Sequence, residues 1–315
     1  MTDRVPPSGD MLSPIPELDI PELVTYAAER NVRLILWTVF NVLDDKLEET
    51  CAHYADMGIA GFKVDFLDRG DQTAVEMAWR IAEAAARHHL VLDYHGLYPP
   101  AGMNRTWPNV LNFESVFGME EVKWGEASIN MPEYLVTFPF IRQMCGYTDF
   151  TPGAMLNATQ KDFQPVYSNP FSLGTRGQQA AIYIVVDSPL TMLCDTPSRY
   201  MKEKEYTAFI STLPRTYEQT LCLDGEMGGH VVIARRAGEN WYVGGLADWN
   251  GKEVELKLGF LGDGEYDLQL LRDGANADKN AQDYALERRT VRKGESVRVR
   301  MASGGGFALK LIKKQ

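Results

Sequence analysis

The chain has 315 residues, of which 45% are hydrophobic and 24% are charged, and this composition is typical of a folded globular protein. The formal net charge of −11 argues against a nucleic-acid partner, because affinity for polyanions depends on Lys and Arg side chains that neutralise phosphates. The N-terminal residues lack the apolar core of a signal peptide, and the longest apolar stretch, 180–186, is too short to span a bilayer. We therefore expect a soluble chain without a membrane partner.

The first half of the chain alternates predicted strands and helices. Strands are indicated by apolar runs and helices by apolar residues at helical spacing. In chain order these are a helix at 21–30, a strand at 34–40, a helix at 44–57, a strand at 61–67, a helix at 74–89 and a strand at 90–96. Two successive βα units predict a parallel sheet covered by helices.

Further strands are predicted at 110–115, 148–155 and 184–195, which gives about six β elements. Polar residues stand at the ends of four of them, namely Asp65, His95, Glu114 and Asp195. In a (β/α)8 barrel the active site lies at the carboxyl ends of the strands. A doubly wound sheet usually carries a glycine-rich phosphate turn, and no such motif follows an early strand here. The pattern therefore favours the barrel.

The predicted barrel is incomplete at its N-terminal side. Eight βα units typically need about 250 residues, whereas the α/β pattern here ends near residue 215. From Cys222 onward the pattern changes to short alternating segments separated by turns, which predicts a small antiparallel β-sandwich with strands at 230–236, 240–249, 253–260, 266–273, 296–301 and 306–312. We place the catalytic partial barrel at 1–218 and the C-terminal sandwich at 219–315.

The four cysteines show none of the paired spacings of zinc sites or redox motifs, so we expect them to be buried as small apolar residues.

Several segments carry a family resemblance. They are GFKVDFLDRGDQ (61–72), DYHGLYPPAGMNRTWPNVLNFESVFGMEEVKW (93–124), TDFTPGAM (148–155), NPFSLGTRGQQAAIYIVVDSPLTMLCDTP (169–197), LADWNGKEVELKLGFL (246–261) and LRDGANADKNAQDY (271–284). Together they resemble glycoside hydrolase family 97. The resemblance implies an N-terminal β-sandwich, a (β/α)8 barrel and a C-terminal β-domain, of which this sequence holds the latter part of the barrel and the last domain. Family members are commonly bacterial periplasmic proteins.

Glycoside hydrolysis needs two carboxyl groups at the scissile bond, and Asp65 and Glu120 are the predicted pair. Asp65 ends a buried strand beside Lys63, whose charge is expected to lower the pKa of Asp65 and keep it ionised as a nucleophile. Glu120 lies on a loop rich in apolar residues, a setting that raises a carboxyl pKa toward that of a general acid.

The resemblance implies the same roles. Asp65 matches the nucleophile of the family's retaining branch, and Glu120 matches its acid/base. The inverting branch carries a glutamate base directly after the histidine that is His95 here, and this chain has Gly96 instead. We therefore predict a retaining α-galactosidase that acts on an oligosaccharide or a small glycoside.

Five further residues have weaker assignments. His95 matches a sugar-binding histidine of the family, and Lys63 and Arg105 are candidates for contacts with sugar hydroxyls. Glu114 matches a calcium ligand, and calcium prefers oxygen donors, although the family's site also draws a ligand from the N-terminal domain. Asp93 is expected to orient His95.

Three alternatives stay open at this point. They are an α-glucosidase of the same family, a carbohydrate-binding protein without turnover, and an inactive fragment whose open sheet edge exposes apolar surface.

Overall fold

The computed structural model describes residues 9–15, 17–67, 69–124 and 130–314. It divides into two compact units. The first unit comprises Met1–Ser115 and Tyr147–Asp149, and the second comprises Val116–Gly146 and Phe150–Gln315. None of the helices in the described part of the chain is both long and apolar enough to cross a membrane.

The first unit is an α/β structure built on a four-stranded parallel sheet. The strands are β1 (Ile35–Val39), β2 (Gly61–Asp65), β3 (Val91–Tyr94) and β4 (Val110–Phe113), paired in that order. The helices are α1 (Ile20–Ala28), α2 (Phe40–Asp45), α3 (Leu47–Met57), α4 (Gln72–Arg87) and α5 (Met103–Thr106). The predicted helix at 21–30 and the first four predicted strands are confirmed.

The two faces of this sheet differ in chemistry. Alternate residues such as Phe62, Val64 and Leu92 are fully buried in the core formed with the helices. The intervening positions belong to the other face, where Trp37 is in register with Lys63 and Lys63 with Asp93. Because side chains alternate along a strand, the apolar residues of β2 pack on helices while Lys63 and Asp65 point away from them.

Helix α4 shows how the sequence sets this packing. The Asp71 side chain accepts a hydrogen bond from the Ala74 amide (3.2 Å) and caps the helix. Ala74, Ala78 and Ile81 recur at helical spacing and are fully buried. The helix ends before His89, which has a left-handed φ of +58°.

The second unit is mainly antiparallel β-structure. Its strands are β5 (Asn157–Ala158), β6 (Ser172–Leu173), β7 (Gln219–Glu226), β8 (His230–Ala237), β9 (Asn240–Ala247), β10 (Lys252–Lys257), β11 (Glu265–Asp273), β12 (Tyr284–Arg292), β13 (Ser296–Met301) and β14 (Gly306–Lys313). Its helices are α6 (Met131–Leu135), α7 (Arg176–Val185), α8 (Pro197–Lys202) and α9 (Lys204–Ile210).

Six of these strands form one antiparallel sheet in the order β12-β11-β14-β9-β8-β7. The antiparallel pair β10–β13 shares a hydrophobic core with this sheet, through residues such as Val297, Val299 and Leu309. On β9, Gly244 lets α7 approach closely, since a Cβ there would lie 2.9 Å from Val185 Cγ2. The predicted antiparallel sandwich is confirmed.

Two predicted strands of the α/β part are wrong. Residues 148–155 form no regular strand, because Pro152 cannot donate a backbone hydrogen bond and Gly153 has a φ of +89°. The apolar run that begins the predicted strand 184–195 instead ends helix α7, since a short buried run suits a buried helix as well as a strand. Asp195 is therefore not at a strand end, and its Oδ2 accepts from the Met155 amide (2.8 Å).

The remaining differences are smaller. The strands β5, β6, β7 and β12 lie outside the predicted strands, and the prediction of buried cysteines holds for Cys51 alone, since the other three are exposed. The closed (β/α)8 barrel stays a prediction, because the described residues form four strands of one parallel sheet.

Candidate active site

The carboxyl ends of β2, β3 and β4 bring three predicted residues to one edge of the first unit. Asp65 is the last residue of β2, while His95 and Glu114 follow β3 and β4 directly. Backbone hydrogen bonds from the His95 amide to Val64 O (2.8 Å) and from the Glu114 amide to Tyr94 O (2.9 Å) continue the ladder past the strand ends. Asp65 and His95 are both buried. Adjacent parallel strands thus hold these side chains in a common layer.

Asp65 is held by two neutral donors. Its Oδ2 accepts a hydrogen bond from Trp37 Nε1 (3.1 Å), and its Oδ1 accepts one from the Phe66 amide (2.6 Å). Among the described residues Asp65 forms no salt bridge, and Arg69 pairs with Asp71 instead. The described residues therefore show no ion pair between Lys63 and Asp65, and the two neutral donors orient the Asp65 carboxylate.

Lys63 belongs to a different network. Its Nζ pairs with Asp93 Oδ2 (3.3 Å) and with Asp149. Burial lowers the pKa of Lys63, but the two carboxylates outweigh burial and raise that pKa above its ordinary value, so the amine stays charged. One partly buried cation thus faces two buried carboxylates.

The two carboxylates have opposite pKa shifts. Burial, followed by the neighbouring Asp149 charge, raises the pKa of Asp93 to about 7. Burial also acts to raise the pKa of Asp149, but the hydrogen bond with His95 and the charge of Lys63 outweigh it and lower that pKa. Asp149 is therefore the ionised member of the pair, and Asp93 is the member that holds a proton more readily.

His95 bridges two carboxylates. Its Nδ1 lies 2.7 Å from Asp149 Oδ2, and its Nε2 lies 3.2 Å from Glu114 Oε1. An imidazolium can donate at both nitrogens at once. The expectation that Asp93 orients His95 is wrong, because Asp149 makes that contact.

Gly96 shares space with Asp65. Its φ is +63°, and a Cβ at this position would lie 3.2 Å from Asp65 Oδ1 and 3.2 Å from the Phe66 amide. A side chain at residue 96 would therefore press on the Asp65 carboxylate through its Cβ.

Glu114 is the predicted calcium ligand. Its Oε2 accepts from the Gly96 amide (2.7 Å), and its Oε1 lies against His95. Calcium takes about six to eight oxygen ligands. Glu114 and His95 alone supply fewer oxygen ligands than calcium takes, so calcium stays a prediction.

The other two predicted residues lie apart from this cluster in the chain. Arg105 is exposed on the short helix α5, in the connection between β3 and β4. Glu120 belongs to the second unit, in a 3-10 turn spanning Met119–Lys123, and its Oε1 accepts a hydrogen bond from Thr151 Oγ1 (3.3 Å). The roles of all six site residues stay predictions.

Trp37 and Asp149 contact the predicted site residues but are not among those that the sequence predicts. The Asp149 amide donates to Phe113 O (2.9 Å), so the backbone of Asp149 lies beside the end of β4 and its side chain reaches His95 and Lys63. Asp149 lies in the predicted strand 148–155, and the available signal is a carboxylate within a segment expected to join the same sheet. The sequence signal for Trp37 is weaker, because a large indole within the apolar run of β1 is also typical of a core residue.

Two family models match this chain. The model for glycoside hydrolase 97 matches residues 3–116, and the model for the glycosyl-hydrolase 97 C-terminal oligomerisation region matches residues 216–312. Together they match more than half of the chain. The chain belongs to glycoside hydrolase family 97.

Curated relatives in this family are retaining enzymes by name. The chain is 48% identical over 303 residues to a retaining alpha-galactosidase of Bacteroides thetaiotaomicron, covering 96% of this chain and 46% of the relative. It is 32% identical to a probable retaining alpha-galactosidase of Streptomyces bingchenggensis, covering 92% of this chain and 42% of the relative. The chain thus spans less than half the length of these two curated relatives.

Solved structures agree with the fold. A glycoside hydrolase family 97 enzyme from Pseudoalteromonas sp. strain K8, solved with panose and with acarbose, superposes with a TM-score of 0.87 at 25% identity, covering 98% of this chain and 51% of that one. A beta-arabinopyranosidase superposes with a TM-score of 0.79 at 23% identity, covering 92% and 48%, and this likeness concerns the fold alone.

Proposed function

We propose that this family 97 chain carries a retaining glycoside hydrolase site that cleaves terminal α-galactosides by double displacement. Asp65 is the nucleophile and Glu120 is the acid/base of this proposal. Lys63, His95 and Arg105 are its candidates for binding sugar hydroxyls.

One observation carries the proposal, namely the shared space of Asp65 and Gly96. The Asp65 carboxylate stands at the end of β2 with a neutral donor on each oxygen, and Gly96 leaves it room. A Cβ at residue 96 would lie 3.2 Å from that carboxylate, so a side chain after β3 and the Asp65 carboxylate at the end of β2 disfavour each other. This supports retention.

The chemistry then has two steps. In the first, an Asp65 oxygen bonds to the anomeric carbon while the glycosidic bond breaks, and Glu120 gives its proton to the leaving oxygen. In the second, Glu120 takes a proton from water, the water oxygen bonds to the anomeric carbon, and the Asp65 ester is released as carboxylate. For this geometry the two carboxyl groups are expected about 5 to 5.5 Å apart.

The substrate assignment rests on the relatives. The two curated relatives are named as alpha-galactosidases, while the more distant Pseudoalteromonas enzyme was solved with panose and acarbose. The 48% identity to the Bacteroides relative favours an α-galactoside, and an α-glucoside is the second candidate.

Proton NMR of the first released sugar tests the mechanism. Hydrolysis of an aryl α-galactoside should release the α anomer first, since two inversions restore the configuration. Early release of the β anomer would refute retention, and faster hydrolysis of the matched α-glucoside would refute the substrate assignment.

Asp65→Gly tests the nucleophile. Activity should fall by about three or more orders of magnitude because the covalent route has no attacking group. Azide can enter the vacated space, so it should restore turnover and give the β-galactosyl azide. Formation of the α-azide, or full activity without azide, would remove Asp65 from this role.

Calcium at Glu114 is a separate proposal. It requires oxygen ligands beyond those of Glu114, and no step above depends on it. Calorimetric titration with CaCl₂ should detect binding that Glu114→Gln weakens by about tenfold or more, because the charged oxygen is lost. Equal heats for the chain and for Glu114→Gln would contradict it.

A further inference from the structure

Two exposed aromatic side chains flank the proposed nucleophile. Trp37 is 55% exposed and Phe66 is 49% exposed. Their rings lie 5.8 Å apart between centroids, with the planes at 85°. Large apolar side chains that stay exposed beside a buried carboxylate are candidates for contacting a ligand.

Trp37 contacts the nucleophile through its polar atom. It lies on the polar face of β1 in register with Lys63, and its Nε1 donates to Asp65 Oδ2 at 3.1 Å. The indole is a donor without acceptor capacity. With the Phe66 amide on the other oxygen, this hydrogen bond fixes the rotation of the Asp65 carboxylate about its Cβ–Cγ bond.

Phe66 has a strained backbone. Its φ is +59°, which is unusual for a bulky residue and is found where the surrounding structure enforces it. In this conformation the Phe66 amide reaches Asp65 Oδ1 at 2.6 Å while the ring stays exposed beside Trp37. Strain at a residue next to a nucleophile is consistent with a functional role.

We propose that Trp37 is a positioning residue for Asp65 and that the Trp37 and Phe66 rings form an apolar wall for the C–H groups of the bound pyranosyl ring. This inference rests on the proposed hydrolase function and adds the residues that orient its nucleophile and hold its sugar. Aromatic rings suit this role because a pyranose presents C–H groups between its hydroxyls.

Kinetic constants distinguish the positioning of Asp65 by Trp37 from the contact between the aromatic rings and the sugar. Trp37→Phe keeps a ring and removes the N–H, so kcat should fall about 10- to 100-fold, the effect of losing a hydrogen bond to a charged group, while KM changes little. Phe66→Gly keeps the backbone amide, tolerates the positive φ and removes the ring. Its KM and the Kd for galactose should rise about 2- to 10-fold with kcat nearly retained.

Two matched controls lie in the same unit. Trp79→Phe makes the same chemical change on helix α4, and His89→Gly makes the same backbone change at a φ of +58°. Both should leave kcat, KM and galactose binding as in the unsubstituted chain. Thermal melting of all four variants checks that they fold.

A test in the Asp65→Gly background separates positioning from general structural damage. Without the carboxylate there is nothing for Trp37 to orient, so Trp37→Phe should leave the azide-supported rate within about twofold. An equal loss in both backgrounds would overturn the positioning role.

The remaining outcomes distinguish this inference from the function on which it rests. Full activity of Asp65→Gly would overturn the proposed function. If instead azide rescues Asp65→Gly but Trp37→Phe behaves like Trp79→Phe, only the positioning role is overturned. The wall is overturned by an unchanged KM and galactose Kd in Phe66→Gly, or by a lack of galactose binding in the unsubstituted chain.

Discussion

Asp65 and Gly96 stand at neighbouring strand ends and share one small space. The structure adds a steric reason to the sequence pattern, because the φ of +63° and the 3.2 Å approach to Asp65 Oδ1 both disfavour a side chain at residue 96. Local packing therefore favours a carboxylate at the end of β2 over a side chain at residue 96, which follows β3.

Gly96→Ala tests this steric contact between residue 96 and Asp65. The added Cβ should displace the Asp65 carboxylate and lower kcat for an aryl α-galactoside by about tenfold or more, since small misplacements of a reacting group are costly. Gly102→Ala is the matched control. It adds the same methyl group at a φ of +94° in the same β3–β4 connection, with no atom within 4 Å. Both variants should lose about 1 kcal/mol of stability from backbone strain, and equal kcat values would contradict the steric account.

Glu120→Ala tests the proposed acid/base. Substrates with poor leaving groups need protonation, so their hydrolysis should fall about 100-fold or more, while activated aryl galactosides should lose far less in the first step. Glu121→Ala, in the same turn, is the control, because the Glu121 side chain contacts Trp124 Nε1 at 3.0 Å. A loss that is the same for all leaving groups would argue against acid catalysis by Glu120.

The sequence could place Asp65, His95 and Glu114 because each directly ends or follows an apolar strand. It could not predict the partners of Lys63. A lysine two residues from an aspartate on one strand face suggests a pair, yet the Lys63 amine reaches Asp93 on the next strand and Asp149 far along the chain. Such networks depend on tertiary distances that local spacing does not contain.

At the scale of elements, the sequence predicted the strands and helices in which apolar residues recur at the buried positions. The strands β1 to β4 and helix α4 were found because their buried residues recur at the expected periods. Both β7 and β12 are edge strands. Apolar alternation in β7 is limited to Leu221 and Leu223, and β12 is exposed through residues 287–290, three of which are charged, so the pattern is too short to mark either strand. Helix α7 was partly mistaken for a strand because it is buried on nearly every side.

Asp273 connects several elements of the second unit. Its Oδ1 accepts from Thr175 Oγ1 (2.5 Å), the residue that caps α7, and its Oδ2 accepts from the Ala302 amide (2.8 Å) and the Gly306 amide (3.0 Å). Burial raises the pKa of Asp273 to about 6, although these hydrogen bonds partly offset it. The folded state therefore binds the Asp273 proton more tightly than the unfolded state does.

This linkage predicts a pH effect. Asp273 contributes its full stabilisation below pH 4, near its unfolded pKa, and loses it as the pH rises through about 6. The difference between the folded and unfolded pKa of Asp273 corresponds to about 3 kcal/mol in the free energy of unfolding. Asp273→Asn can keep all three hydrogen bonds if its amide group donates to Thr175, and it cannot ionise. Urea unfolding from pH 4.5 to 7.5 should show the variant gaining stability relative to the parent as pH rises, and parallel curves would contradict this.

At the scale of the whole molecule, the change of sequence pattern near residue 218 stays the predicted domain boundary. Within the second unit, however, one hydrophobic core lies on both sides of that point. Ala180, Ile184 and Phe209 precede it, while Leu271 and Ala308 follow it. Sequence patterns report the type of local structure, and they do not report which elements share a core.

The shared core predicts how separate segments of the chain behave. Segment 219–315 lacks α7 and would expose the sheet surface around Gly244 and Ala308, whereas segment 150–315 keeps that helix and its core. At about 25 cal/mol per Å² of apolar surface, losing this cover costs several kcal/mol. Segment 219–315 should therefore unfold at a lower urea concentration than segment 150–315, followed by circular dichroism, and it should bind a hydrophobic fluorescent dye more strongly. Equal midpoints and equal dye binding would instead show that the sandwich folds independently from residue 219 onward, and that α7 contributes contacts without being needed for its stability.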